Sequence, residues 1–173
     1  MIDPPNEVRD IFLNPGDFQF GGSHLRLRTL LGSCVSIVLW HPEKLVGGMC
    51  HYLLPHRSTP MNPSTGLDGK FGEEAFLMFL KEIKLANLPT SSFKAKIFGG
   101  SDMFSREEEN MKVDSNFTNA KLVGQRNLDF AKQILSEHSI RIISENSGGS
   151  KARKVFFTIW DGEVWLETNE SSV

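Results

Sequence analysis

Apolar positions in this chain follow two periods, and the switches between them mark its elements. Residues 25–30 alternate, with Leu25 and Leu27 against Arg26 and Arg28, as in a strand buried on one face. Residues 35–40 and 45–51 are nearly continuous apolar runs separated by His41-Pro42-Glu43-Lys44, which reads as a hairpin closed by a short loop. Phe76, Phe79, Leu80 and Ile83 recur at helical spacing, so residues 72–88 predict an amphipathic helix ended by Pro89, its aromatics in the core. Asn127 is placed to cap a second helix running to about His138, with Leu128, Ala131 and Leu135 on one stripe. Residues 94–98, 140–143, 154–159 and 163–167 complete the strands, with Gly99-Gly100 as a tight exit and Asp161-Gly162 as a hairpin turn. The stretches 54–69 and 101–119 are polar loops, the second carrying the solvated run Arg106-Glu107-Glu108-Glu109. The fold class expected is α+β: mixed β-sheets packed against two or more helices.

The hairpin brings a thiol toward an imidazole. If Trp40 pairs with Leu45, Cys34 stands opposite His51, and directly opposite side chains share a face with Cβ atoms about 5 Å apart. A slip of one residue would send them to opposite faces. An isolated cysteine in an apolar run is commonly an inert small hydrophobe. Here Gly32 and Ser33 precede it, and residues so small let backbone amides approach a substrate carbonyl as oxyanion donors. An adjacent imidazole predicts a stabilised thiolate, with Cys34 alkylated before Cys50.

Composition narrows the class. With 173 residues, 39% hydrophobic and 23% charged, the chain can bury one substantial core, and a single domain over 1–173 is expected. A net charge of −2 argues against electrostatically driven nucleic-acid binding. Two cysteines do not suggest a secreted disulfide scaffold, and Met1-Ile2-Asp3-Pro4-Pro5 lacks the basic and apolar regions of a signal peptide. No run approaches the ~20 apolar residues of a membrane span, so no membrane insertion and a cytoplasmic location are expected. A zinc site from Cys50, His51 and His56, or from Cys34 with His51, has suitable ligand types. Cys50 and His51, however, are strand neighbours that point oppositely, and no paired zinc spacing exists, so neither metal nor cofactor is expected.

Four ordered blocks carry a resemblance. Leu31-Gly32-Ser33-Cys34 with Gly47-Gly48-Met49 and His51, then 94–100, then Gly124-Gln125-Arg126-Asn127, then Gly148-Gly149 with 153–157, resemble the CheD family of chemoreceptor glutamine deamidases over about residues 10–167. The resemblance leaves a tail at about 168–173. It implies a β-sandwich flanked by helices, related to bacterial toxins that deamidate glutamines. It also implies that Cys34 attacks a chemoreceptor glutamine and that His51 serves as base, with glutamate methyl-ester hydrolysis as a second activity. The family employs a threonine shortly before the cysteine, for which Thr29 is the nearest match; Gln125, Asn127 and Ser33 are other groups able to orient the site. A CheC-type phosphatase is the implied partner beside the chemoreceptors (methyl-accepting chemotaxis proteins), and a non-catalytic regulatory role toward CheC is the alternative function.

Overall fold

The computed structural model describes residues 2–102 and 115–168, the side chains of 115–121 excepted. Nine strands and two long helices are seen among them. A four-stranded mixed sheet has the order β1 (Arg9–Phe12), β3 (Leu25–Leu31), β8 (Arg153–Thr158), β9 (Val164–Thr168). A five-stranded mixed sheet has the order β2 (Phe18–Gly21), β5 (Val46–Cys50), β4 (Val35–His41), β6 (Lys94–Gly99), β7 (Arg141–Ser147). Helices α1 (Gly72–Leu85) and α2 (Ser115–Glu137) cover one face of the larger sheet. The architecture is α+β, as the periodicity predicts.

Layering explains why neighbouring strands read so differently. The larger sheet is sandwiched: its helix side holds Ile37, Leu39, Ala95 and Ile97 against Phe76, Phe79, Ala131 and Leu135. Its other side holds Val38, Met49 and Phe98 against Leu25, Leu27, Leu31, Val155 and Phe157 of the smaller sheet. A central strand covered on both faces has no polar face to show, so β4 is apolar throughout except for Ser36 and the terminal His41. Strand β3 has one covered face and therefore alternates.

Three expectations need correction. Trp40 pairs with Gly47 and His41 with Val46, not Trp40 with Leu45, because the loop holds four residues between the last pair. His41 organises that loop: its Nδ1 accepts from the Lys44 N–H at 3.2 Å and its carbonyl from the Leu45 N–H at 3.0 Å, while Leu45 turns to φ 51°. The second correction is that α2 begins at Ser115, so Asn127 lies inside the helix and caps nothing. Part of the polar stretch 101–119 is therefore helical; residues 103–114, with the run Arg106-Glu107-Glu108-Glu109, lie outside the described residues, as does 169–173 of the tail. Third, the strands β1 and β2 escape the periodicity, being four residues each. The Asp161-Gly162 turn is present, with Gly162 at φ 72°.

Candidate active site

Two sheets contribute to one polar cluster. Continuing the hairpin register through the Val35–Tyr52 bridge sets Leu53 opposite Cys34 and Ser36 opposite His51. The shift from the expected register is two residues, an even number, so Cys34 and His51 still share a face. That face is the inter-sheet one, where Cys34 packs against the cluster that includes Leu31, Val38 and Met49. Thr29 comes from the covered face of β3, and its Oγ1 lies 2.8 Å from His51 Nδ1. Thr29 and His51 are buried, at 1% and 2% exposure, whereas Cys34 is half-buried and reachable.

One proton fixes the tautomer. The Thr29 hydroxyl donates to the Leu13 carbonyl at 2.8 Å, and a hydroxyl has a single hydrogen to give. Its oxygen must then accept from His51, so Nδ1 carries the N–H and Nε2 keeps its lone pair. Nε2 is buried and has no hydrogen-bond partner. An imidazole so held is a base waiting for a proton.

Burial sets the charge states. It pulls the His51 pKa below the ordinary value, against the opposing pull of the Leu13 carbonyl and the Asp17 charge. Burial also pushes the Cys34 thiol up, against its own backbone N–H. Both shifts favour the neutral thiol and the neutral imidazole over the ion pair that sequence adjacency suggests.

The loop before β4 is held from behind. The Gly32 carbonyl accepts from the Ser101 N–H at 2.9 Å and the Cys34 carbonyl from the Gly100 N–H at 2.8 Å. Gly99, at φ +108°, passes so close that a Cβ there would lie 2.1 Å from the Cys34 oxygen. Asn127 Nδ2 donates to the Leu53 carbonyl at 2.8 Å and to the Ser33 carbonyl at 3.4 Å, tying α2 to both strands beside Cys34. The buried Arg153 guanidinium donates to the carbonyls of Gly99, Asn146 and Gly148 and, at 3.1 Å, to Ser101 Oγ. Neither Arg153 nor Ser101 was among the expected site residues. Arg153 opens β8 beside Lys154 and Ser101 follows the Gly99-Gly100 exit, so neither carries a side-chain pattern that marks it. Gln125 is elsewhere, its amide on the exposed Asp129 carboxylate.

The residues of the metal alternative face apart. Cys50 points to the helix side, its Sγ 3.7 Å from the Ile37 carbonyl, and His56 sits outside on Glu73 and the Phe130 ring. The loop after His51 is pinned by an ion pair between half-buried Arg57 and buried Glu74. A cavity of about 520 Å³ opens beside it, lined by Asp17, Arg57 and Asp68 but not by Cys34 or Thr29. No helix among the described residues is long and apolar enough to cross a membrane.

Comparison with known proteins gives a consistent answer. Residues 53–168 match a family model described as CheD chemotactic sensory transduction. A Dechloromonas aromatica protein named probable chemoreceptor glutamine deamidase CheD 3 is 44% identical over 96% of this chain and 91% of its own length. A Leptospira interrogans protein named probable chemoreceptor glutamine deamidase CheD 1 is 39% identical over 98% of this chain and 99% of its own. Among solved structures, Bacillus licheniformis hypothetical protein YfiH aligns at a TM-score of 0.45 and 12% identity, over 86% of this chain and 62% of that one.

Proposed function

Since the chain belongs to the CheD family, we propose that it is a cysteine-dependent protein-glutamine deamidase that converts chemoreceptor glutamines to glutamates in the cytoplasm. The observation that carries the mechanism is the Thr29–His51 hydrogen bond. It leaves an unprotonated, unpartnered Nε2 on the face shared with a reachable thiol.

The chemistry is acyl transfer in two halves. Cys34 Sγ attacks the side-chain carbonyl carbon of a glutamine while His51 Nε2 takes the thiol proton. Backbone amides around Gly32, Ser33 and Cys34 receive the developing oxyanion. The C–N bond breaks as His51 returns that proton to the departing nitrogen, releasing ammonia and leaving a thioester. Water then attacks the thioester, its proton passing through His51 to the sulfur, and glutamate is released. Thr29 holds the imidazole in the tautomer that both halves require.

A glutamate methyl ester presents the same acyl carbon, so methyl-ester hydrolysis follows by the same route with methanol leaving. The CheC-type phosphatase implied by the family belongs to a separate surface question, and a Cys34→Ala protein that still bound it would divide occupancy from turnover. The decisive experiment co-expresses a cytoplasmic receptor fragment with this protein and weighs its peptides. Each converted glutamine gains about one dalton, amide NH₂ becoming OH. Absence of that gain, or its persistence with Cys34→Ala, overturns the proposal.

A further inference from the structure

Two of the buried polar atoms without a hydrogen-bond partner are Ser36 Oγ and His51 Nε2. The register makes them neighbours: Val35 pairs with Tyr52 on one side and Val38 with Met49 on the other, so Ser36 stands opposite His51. Val35 and Tyr52 exchange both backbone hydrogen bonds, at 3.1 and 3.0 Å. The next pair along, Ser36 with His51, is then the non-hydrogen-bonded kind, in which side chains approach most closely. Cys34 lies two residues before Ser36 on the same face. Beyond Ser36 that face continues as Val38 and Met49, both hydrocarbon-like and fully buried.

We propose that Ser36 holds the water that hydrolyses the thioester. The inference rests on the reading of Cys34 as nucleophile. A hydroxyl and an imidazole nitrogen both buried and both unpaired form the kind of polar recess that a single water satisfies. Thr29 has already made Nε2 an acceptor, so the water donates one hydrogen to it and lies against Ser36 Oγ with its other contact. This orients a water lone pair toward the adjacent sulfur, where the acyl carbon is bound. In the step that follows, the water oxygen bonds to the acyl carbon, its hydrogen moves to Nε2, the C–S bond breaks, and the same proton passes to the sulfur. Ser36 exchanges no proton and touches no substrate atom. It is a positioning residue for deacylation, with no part in the first half-reaction.

That division is testable by separating the halves. Rapid-quench assays with the receptor fragment and the full chain measure ammonia in the first turnover and then in the steady state. For Ser36→Ala the first-turnover ammonia release stays within about twofold of the parent, steady-state release falls about ten- to hundredfold, and the fragment is found bound to Cys34 by mass spectrometry. Ser36→Thr, which retains the hydroxyl, restores much of the steady-state rate. Wild-type turnover by Ser36→Ala, or a loss that falls equally on the first turnover, overturns the inference while leaving the nucleophile untouched. Ammonia release by Cys34→Ala overturns the nucleophile instead, and the two failures are read in different samples.

Discussion

The two faces of the β4–β5 hairpin have opposite characters although their residues alternate one by one. Toward the helices stand Val35, Ile37, Leu39, Cys50 and Tyr52, and the hairpin's own polar side-chain atoms there are partnered: Cys50 Sγ on the Ile37 carbonyl, Tyr52 hydroxyl on the Asn127 carbonyl at 2.5 Å. Toward the second sheet stand Cys34, Ser36 and His51, where two buried polar atoms have no partner. Leaving such groups unpaired costs stability, so a fold tolerates them where the free valence is used. Pleating makes this possible, since one strand can contribute to the core and to the chemistry without either set touching the other.

The comparison breaks most visibly at the thiols. Cys34→Ala and His51→Ala should each reduce receptor deamidation by about three orders of magnitude or more, and the double variant should be little worse, because groups acting as a unit are not additive. The mass gain on the receptor fragment reads both. Independent, multiplicative losses would mean that thiol and imidazole belong to different steps. Thr29→Val comes next, at about ten- to hundredfold, since it takes the partner from Nδ1–H and frees the ring to rotate or change tautomer. Thr29→Ser should recover most of that rate; an equal loss in the two variants would make Thr29 a packing residue only.

Part of this contrast was legible in the sequence. Alternation in β3 and the nearly continuous apolar run in β4 are direct readouts of one covered face and two, and they predicted the strands. The face shared by Cys34 and His51 survived a wrong loop length only because the error was even. The loop itself depends on His41 capping backbone amides and on a left-handed Leu45, neither of which has a composition signal. Thr29 is matched only by its place before Cys34, and its position on the buried face of β3 puts it against the imidazole. Arg153 and Ser101 were invisible because their partners are backbone carbonyls and amides of distant segments, which side-chain patterns do not encode. The true start of α2 lay hidden because Ser115, Asn116, Thr118 and Asn119 read as loop residues and mask the helical spacing of Phe117, Ala120 and Val123.

On the helix side the expected effect is on stability. Cys50→Ser exchanges a thiol for a hydroxyl within the buried cluster that includes Ile37 and Phe79, and should cost about 1–3 kcal/mol while leaving deamidation at the parental rate. Thermal melting beside the receptor assay reads both quantities. A Cys50→Ser protein that melts normally but fails to deamidate would place chemistry on the wrong face of the hairpin.

The smallest effect is a shift in pH, and its sign distinguishes two mechanisms. Burial raises the Cys34 thiol, so at a given pH less of it is thiolate in the folded protein than in a free cysteine. Iodoacetamide should therefore alkylate Cys34 with a midpoint above the ordinary thiol value of about 8.5. Cys50, pushed up to about 12 and fully buried, should stay unlabelled until the protein unfolds. His51 is lowered, so it is already a neutral base at pH 7, and activity should rise through a pKa below the usual 6.5 and hold level above it. With both groups neutral at rest, His51→Ala should hardly move the alkylation midpoint, because no imidazolium stabilises the thiolate. If the midpoint instead lies well below 8.5 and climbs when His51 is removed, the pair is ionised at rest. His51 would then serve as acid first and base second, and the neutral-pair mechanism argued from burial would be wrong.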